Sequence, residues 1–269
     1  MPELPEVETV RRALLSQIQF EVIEYADVYY SKIISNDLDD FKARIRNQVI
    51  LDIDRKGKYL IFKLSNVVMI IHLRMEGKFY IKTNEPVLKH EHVLFHFKSG
   101  RNLRYHDVRK FGRIVLQNLT DYMDHPPLNQ LADEPQQQDV NQFYLCLIKK
   151  RVAIKTALLD QRIISGLGNI YVDETLFLSR IHPKRLTSSL SMKEVSVLLE
   201  SAQTVLNKAV DLGGSTIRSY TSTLGVHGRF QNELQVHTKQ GEACPRCESQ
   251  IVKIKVGGRG TYVCPTCQH

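Results

Sequence analysis

The sequence predicts an α+β protein of two domains. The first is an antiparallel β-sandwich with one N-terminal helix, the second a helical domain ending in a four-cysteine hairpin. Three observations carry this expectation. Residues 4 to 18 and most segments beyond residue 140 place apolar side chains at helical spacing, whereas the stretch between holds short alternating or apolar runs. A proline- and glutamine-rich segment from Asp124 to Asp139 separates the two regimes. Two Cys-x-x-Cys pairs, Cys244/Cys247 and Cys264/Cys267, lie sixteen residues apart near the C-terminus. The expected organisation is a sandwich over 1–130, a linker over 131–140, a helical domain with a loop over 141–230, and a metal-bound hairpin over 231–269.

Taken in order, Val7, Val10, Leu14 and Ile18 share one face of the first helix. Val67 to Leu73 is an apolar strand, and Val93, Phe95 and Phe97 alternate with Leu94, His96 and Lys98. Ser99-Gly100 turns this strand back toward Leu103 and Tyr105, and Ile114 to Leu116 supplies another. Helices are expected near 140–149, 153–160, 169–180 and 191–211. Gly166-Leu167-Gly168 forms a tight turn that makes Asn169 a helix cap. Gly213-Gly214 ends the last helix, and Ser215 to Gly228 reads as a loop.

The formal net charge of +8 favours an anionic partner, nucleic acid first. Arg101, Arg104, Arg109, Lys110 and Arg113 crowd one segment against a single Asp107, and Lys253, Lys255 and Arg259 form a second group. No apolar run is long enough for a membrane span, and acids stand where a signal peptide carries bases, so a cytoplasmic location is expected. In a reducing compartment the four paired cysteines read as ligands of one structural zinc, with no open coordination position. Cys146, among Tyr144, Leu145, Leu147 and Ile148, reads as a core thiol.

Pro2 and Glu3 admit two readings. Prolines at positions 2 and 5 suit a first helical turn. Trimming of Met1 would alternatively leave Pro2 as a free secondary amine. An α-amino group titrates near ~8 and a lysine near ~10.4, so this terminus would be neutral far more often at pH 7. A neutral secondary amine attacks an aldehyde-level carbon and yields an iminium already charged, with Glu3 beside it as acid or base.

Together the segments Pro2-Glu3-Leu4-Pro5-Glu6-Val7-Glu8-Thr9, Gly57-Lys58-Tyr59-Leu60, His72-Leu73-Arg74-Met75-Glu76-Gly77, Arg109-Lys110-Phe111-Gly112, Gly166-Leu167-Gly168-Asn169-Ile170-Tyr171 and the ribbon containing Gly258-Arg259-Gly260-Thr261 resemble the formamidopyrimidine-DNA glycosylase family of bacterial repair enzymes. They span essentially the whole chain in the family's order.

The resemblance implies a helix–two-turn–helix motif in the second domain and removal of oxidised purines from duplex DNA, followed by β,δ-elimination. It makes Pro2 the nucleophile at C1′, Glu3 the acid/base, and Lys58 and Arg259 phosphate-binding helpers of elimination. Met75, Arg109 and Phe111 would fill the void left by an everted base. Asn169 would clamp phosphate, and His72, His90 and Lys150 match further DNA contacts. A monomer is implied. Ile217, Tyr220, Thr221 and Ser222 fall where the family closes over the lesion. The two alternatives are the sister activity of endonuclease VIII on oxidised pyrimidines and a zinc-ribbon DNA binder without chemistry. The start Glu-Leu-Pro and the Arg-Lys-Phe sequence favour the purine enzyme over its sister, and a pure binder needs neither Pro2 nor Glu3.

Overall fold

The structure is a computed structural model that describes residues 1–215 and 228–269, so most of the Ser215–Gly228 loop, including Ile217, Tyr220, Thr221 and Ser222, lies outside the described residues. The chain divides into two compact units. Unit 1 comprises Met1–Asn129 with Ser215 and Gly228, and unit 2 comprises Gln130–Gly214 and Arg229–His269.

Unit 1 begins with α1 (Leu4–Ile18), with Pro5 in the first turn, where a missing N–H costs nothing. Then follow β1 (Val22–Val28), α2 (Leu38–Ile45), β2 (Gln48–Lys56), β3 (Tyr59–Leu64), β4 (Val67–His72), β5 (Lys78–Lys82), β6 (Glu91–Phe97), β7 (Asn102–His106) and β8 (Arg113–Asn118). The strands hydrogen-bond in the order β5-β7-β6-β1-β2-β3-β4-β8, each pair antiparallel. The β1–β2 junction is thin, with only Val22↔Val49 and Ile23↔Gln48 in register. It divides the sheet into two four-stranded halves that share one core. Ile50, Ile53, Leu60, Phe62, Met69 and Ile71 from one half cluster with Phe79, Val93, Phe95, Phe97, Leu103 and Tyr105 from the other. This is the expected sandwich.

The apolar stripe of α1 enters the same cluster, with Val7, Leu14 and Ile18 fully buried. Burying such a side chain is worth roughly 1.5–3 kcal/mol. Strand β4 is buried at every position, as its unbroken apolar run requires. Helix α2 has no counterpart in the sequence reading because its eight residues offer only Phe41 and Ile45 to the core. Its start is fixed by Asp37, whose carboxylate accepts from the Asp39 and Asp40 N–H groups at 3.0 Å.

Unit 2 carries α3 (Val140–Ile148), α4 (Ile154–Leu159), α5 (Asn169–Leu178), α6 (Met192–Asp211) and the hairpin of β9 (Val252–Val256) and β10 (Arg259–Val263). The stretch expected to be a linker hydrogen-bonds to the α4–α5 connection and to α6. The Ala132 N–H donates to the Gln161 carbonyl at 2.9 Å, the Ser165 N–H to Asp133 at 3.1 Å, and Gln203 Nε2 to Pro135 at 2.8 Å. Glutamines suit this strap because their amides satisfy carbonyls that a turn leaves unpaired. The helical segment and the zinc hairpin fall within the same compact unit. Cys146 is only half-buried, because Leu145 beside it faces solvent while Phe143 and Leu147 form the inner face.

Among the described residues no helix is long and apolar enough to cross a membrane. Leu14→Ala should destabilise unit 1 by about 2–5 kcal/mol, lost transfer energy plus a cavity. The unfolding midpoint read by circular dichroism measures it, and an unchanged midpoint would mean that α1 is not clamped by the core.

Candidate active site

Pro2 and Glu3 are both buried immediately ahead of α1. Glu3 is the N-cap in extended backbone and shares a capping box with Glu6. The Glu6 carboxylate accepts from the Glu3 N–H at 2.8 Å and from the Ser215 N–H at 2.7 Å. One turn on, Glu8 accepts from Arg11 at 2.8 Å, Arg12 at 2.7 Å and Arg55 at 3.2 Å. Burial would raise the Glu8 carboxyl, but the bonds from Arg11 and Arg12 and the charges of Arg11 and Arg55 outweigh it and hold it at about 2. Arg55 also donates to the Gly57 carbonyl at 2.9 Å. The helix start is thereby tied to the β2–β3 turn, where Gly57 takes a φ of 56° and the buried Lys58 follows.

His72 ends β4, edge-on to the Tyr59 ring at 4.5 Å. Its Nδ1 accepts the Arg74 N–H at 2.9 Å, so the ring proton sits on Nε2. Burial, reinforced by the charges of Arg74 and Lys58, pushes its pKa down to about 3. The ring is a neutral donor at physiological pH. His90 lies in the left-handed region with a φ of 73°, its ring against His92 and His106.

Met75 occupies the turn between β4 and β5, half-buried. Arg109 and Phe111 lie in the connection between β7 and β8, outside either strand. They flank Lys110, whose φ of 59° bends the β7–β8 connection into a tight loop. The two side chains meet, with the Arg109 guanidinium 5.0 Å from the centre of the Phe111 ring and both exposed. The basic segment is less uniform than its composition suggests. Arg104 is buried against Glu91 at 2.8 Å, and Arg101 bonds Glu21, leaving Arg109, Lys110 and Arg113 on the surface.

In unit 2, Gly168 rather than Asn169 caps α5. Asn169 is the first helical residue, and its Nδ2 donates to the Gly260 carbonyl at 3.1 Å. The buried Lys155 donates to the same carbonyl at 3.2 Å and pairs with Asp173 at 2.6 Å. His237 bonds the other Asp173 oxygen at 2.8 Å. Arg259 follows the Gly257-Gly258 turn, whose φ values of 54° and 78° suit a tight two-residue hairpin, and it is exposed. Asn169 and Arg259 thus converge on one end of the hairpin. Lys150 is exposed at the end of α3.

Three family models cover most of the chain: the formamidopyrimidine-DNA glycosylase N-terminal domain over residues 1–114, the H2TH domain of that glycosylase over 131–221, and a zinc finger found in FPG and IleRS over 241–269. The formamidopyrimidine-DNA glycosylase of Oceanobacillus iheyensis is 46% identical, covering 100% of this chain and 98% of its own. The chain belongs to the formamidopyrimidine-DNA glycosylase family. The Streptococcus pneumoniae glycosylase is 45% identical over 100% of this chain and 99% of its own. A mutant of the Lactococcus lactis enzyme, solved with Fapy-dG-containing DNA, superposes with a TM-score of 0.95 at 42% identity, with both chains fully covered. The same enzyme with abasic-site DNA gives 0.94.

As a member of this glycosylase family the chain is a DNA-repair glycosylase. The four cysteine sulfurs fit a structural zinc ion. All lie within 4.8 Å of one another, with Cys244 and Cys267 at 3.8 Å and Cys247 and Cys264 at 3.5 Å. A zinc tetrahedron with bonds of about 2.3 Å has edges of about 3.8 Å. The Arg246 and Cys267 N–H groups donate to Cys244 and Cys264 sulfur. Glu8, Arg55, Lys155 and Asp173 escaped sequence reasoning. Lys155 and Asp173 carried the signal of a charge in an apolar run, whereas Arg55, between Asp54 and Lys56, and Glu8, near Glu6, carried none.

Two outcomes follow. Since His72 binds its proton near pH 6.5 when unfolded but near 3 when folded, the unfolded chain holds more protons between those values. Native stability should fall as pH drops through that window, and His72→Gln should shallow the slope of unfolding free energy by up to about one proton. Chelation of zinc or Cys264→Ser should weaken duplex binding and unfold the hairpin while the β-sheet signal persists. Full binding by metal-free protein would contradict the structural role.

Proposed function

We propose that the chain is a bifunctional glycosylase/lyase that removes oxidised purines and then cuts the strand through a Pro2 Schiff base. The observation that carries the reading is the buried Pro2-Glu3 pair at the capped start of α1, tied to the Lys58 turn through Glu8 and Arg55. Removal of Met1 frees the Pro2 amine. It attacks C1′ and gives up its N–H proton as the C1′–base bond breaks and the base leaves protonated; the C1′–O4′ bond then opens, Glu3 passing a proton to O4′, and the nitrogen lone pair forms the C1′=N⁺ bond. The resulting iminium withdraws electrons from C2′, whose proton is removed as the C3′–O bond breaks; δ-elimination then releases the other phosphate. Lys58, His72, Asn169 and Arg259 bind phosphate, with His72 donating from Nε2. Lys150 and His90 extend that contact. Zinc, held by the four thiolates, keeps the Arg259 turn folded.

Met75, Arg109 and Phe111 occupy the space of the everted base, Arg109 offering its fork to the orphaned cytosine. The relatives named above carry the purine enzyme's name and not that of endonuclease VIII, which supports the lesion class. The protein acts as a monomer in the cytoplasm, on the nucleoid.

Pro2→Gly should abolish cleavage and borohydride trapping on an 8-oxoguanine duplex while duplex binding persists. Equal trapping by a protein with a blocked N-terminus would exclude the proline nucleophile. Arg109→Ala should lose about 1–3 kcal/mol of discrimination for the base opposite the lesion, read as the ratio of excision rates opposite cytosine and adenine.

A further inference from the structure

The two loops that carry Met75 and the Arg109/Phe111 pair meet over one buried side chain. Tyr105, on β7, is fully buried and stands opposite Phe79 of β5 and Val93 of β6. Its hydroxyl fills the space beneath Gly77, which ends the Met75 turn, and beneath Gly112, which ends the Arg109 loop. A Cβ at Gly77 would collide with that oxygen and with the Leu73 carbonyl, and one at Gly112 with the same hydroxyl. Neither position accepts a larger residue while the hydroxyl is there.

Asp107 completes the arrangement. Its carboxylate is wholly buried and accepts from the Arg109 N–H at 3.0 Å and the Gly112 N–H at 2.8 Å, with the Tyr105 hydroxyl 3.4 Å away. Its backbone carbonyl accepts from His92 Nε2 at 2.9 Å and its N–H donates to the His90 carbonyl at 3.0 Å. One carboxylate therefore templates the loop from both ends, and the left-handed Lys110 lies between its two clamped amides. The Met75 turn is closed by its own Gly77 N–H bond to Leu73 at 2.9 Å and rests on the same tyrosine.

We propose that Tyr105 and Asp107 are positioning residues that lock the two insertion loops into one unit, so that Met75 and Phe111 enter the duplex in fixed relative geometry. The proposal rests on the insertion reading of Met75, Arg109 and Phe111 given above. A side chain that must fill a hole of set shape gains from being placed before it arrives, and a misplacement of about 1 Å can cost about a hundredfold in rate. Neither residue touches the reacting atoms. Their loss should therefore weigh on steps that need a base everted more than on cleavage at a site already lacking its base.

The test uses full-length, zinc-loaded Tyr105→Phe and Asp107→Asn. Single-turnover rates are measured on an 8-oxoguanine duplex and on a pre-formed abasic duplex, alongside the unfolding midpoint and the same assays on Phe111→Ala. The ratio of the two rates should fall about tenfold or more in each variant. A double-mutant cycle between Met75→Ala and Phe111→Ala should show coupling in the parent that vanishes in the Tyr105→Phe background. If Phe111→Ala lowers the ratio while Tyr105→Phe lowers both rates in parallel or neither, the pair is merely structural and the proposal fails. If Phe111→Ala itself lowers both rates equally, the insertion reading fails first and takes the proposal with it. Should Asp107→Asn not fold, Tyr105→Phe decides alone.

Discussion

The burial of the apolar stripe of α1 in the common core, where it packs on β2 and β3, is the interaction on which the rest depends. A chain terminus frays unless it is tied down. Here the apolar stripe of Val7, Val10, Leu14 and Ile18 is drawn into the common core, and the residues just ahead of the helix inherit its rigidity. The capping box and the Glu8–Arg55–Gly57 chain then transmit that order outward to the Lys58 turn. Each half-sheet alone would leave an open apolar face, so helix and sandwich stabilise one another.

Charge is divided between two tasks. Arg104 and Lys155 are buried and paired, each donating also to backbone carbonyls that turns leave unsatisfied. Removing one partner of such a pair costs on the order of 3–5 kcal/mol, because the other charge is stranded in low dielectric. Such residues hold loops in place and are unavailable to a polyanion. Lys110, Arg113, Lys253, Lys255 and Arg259 remain on the surface, where screening makes their mutual repulsion tolerable and phosphate can reach them. Glu174 shows the same economy in acid form. Burial pushes its carboxyl up, against the pull of the Gln235, Val236 and His237 N–H groups, and those bonds lead the chain back toward the zinc hairpin.

Much of this architecture was legible in the sequence wherever a period ran long enough. The helices at 4–18, 140–148 and 192–211 and the apolar β4 stood out because burial writes a regular pattern. The four cysteines were legible because zinc demands fixed spacing. Helix α2 and strands β1, β2, β3 and β5 were not: α2, β1 and β5 bury only one or two residues each, β2 shifts register between Ile50 and Asp52, and β3 buries both faces in a run too short to assign. Position within a motif was readable, but local geometry was not. Asn169 is a first-turn residue and Arg109 sits in a bent loop, because the conformation of a neighbour, Gly168 or Lys110, decides each case. The Tyr105–Asp107 hub was invisible for another reason: it exists only where two loops meet.

The bond from Ser215 to Glu6 joins residues 209 positions apart, and between them the chain leaves unit 1 and returns. Closing a loop of that length costs on the order of 5 kcal/mol in chain entropy, more than one hydrogen bond repays. The contact therefore records the completion of folding and cannot initiate it. A nascent or fragmentary chain that has built its sandwich still lacks the far-end partner of the first turn of α1. Neither unit is a contiguous stretch of sequence, so gene fragments cut at the apparent boundary after Asn129 would yield two incomplete pieces rather than two domains.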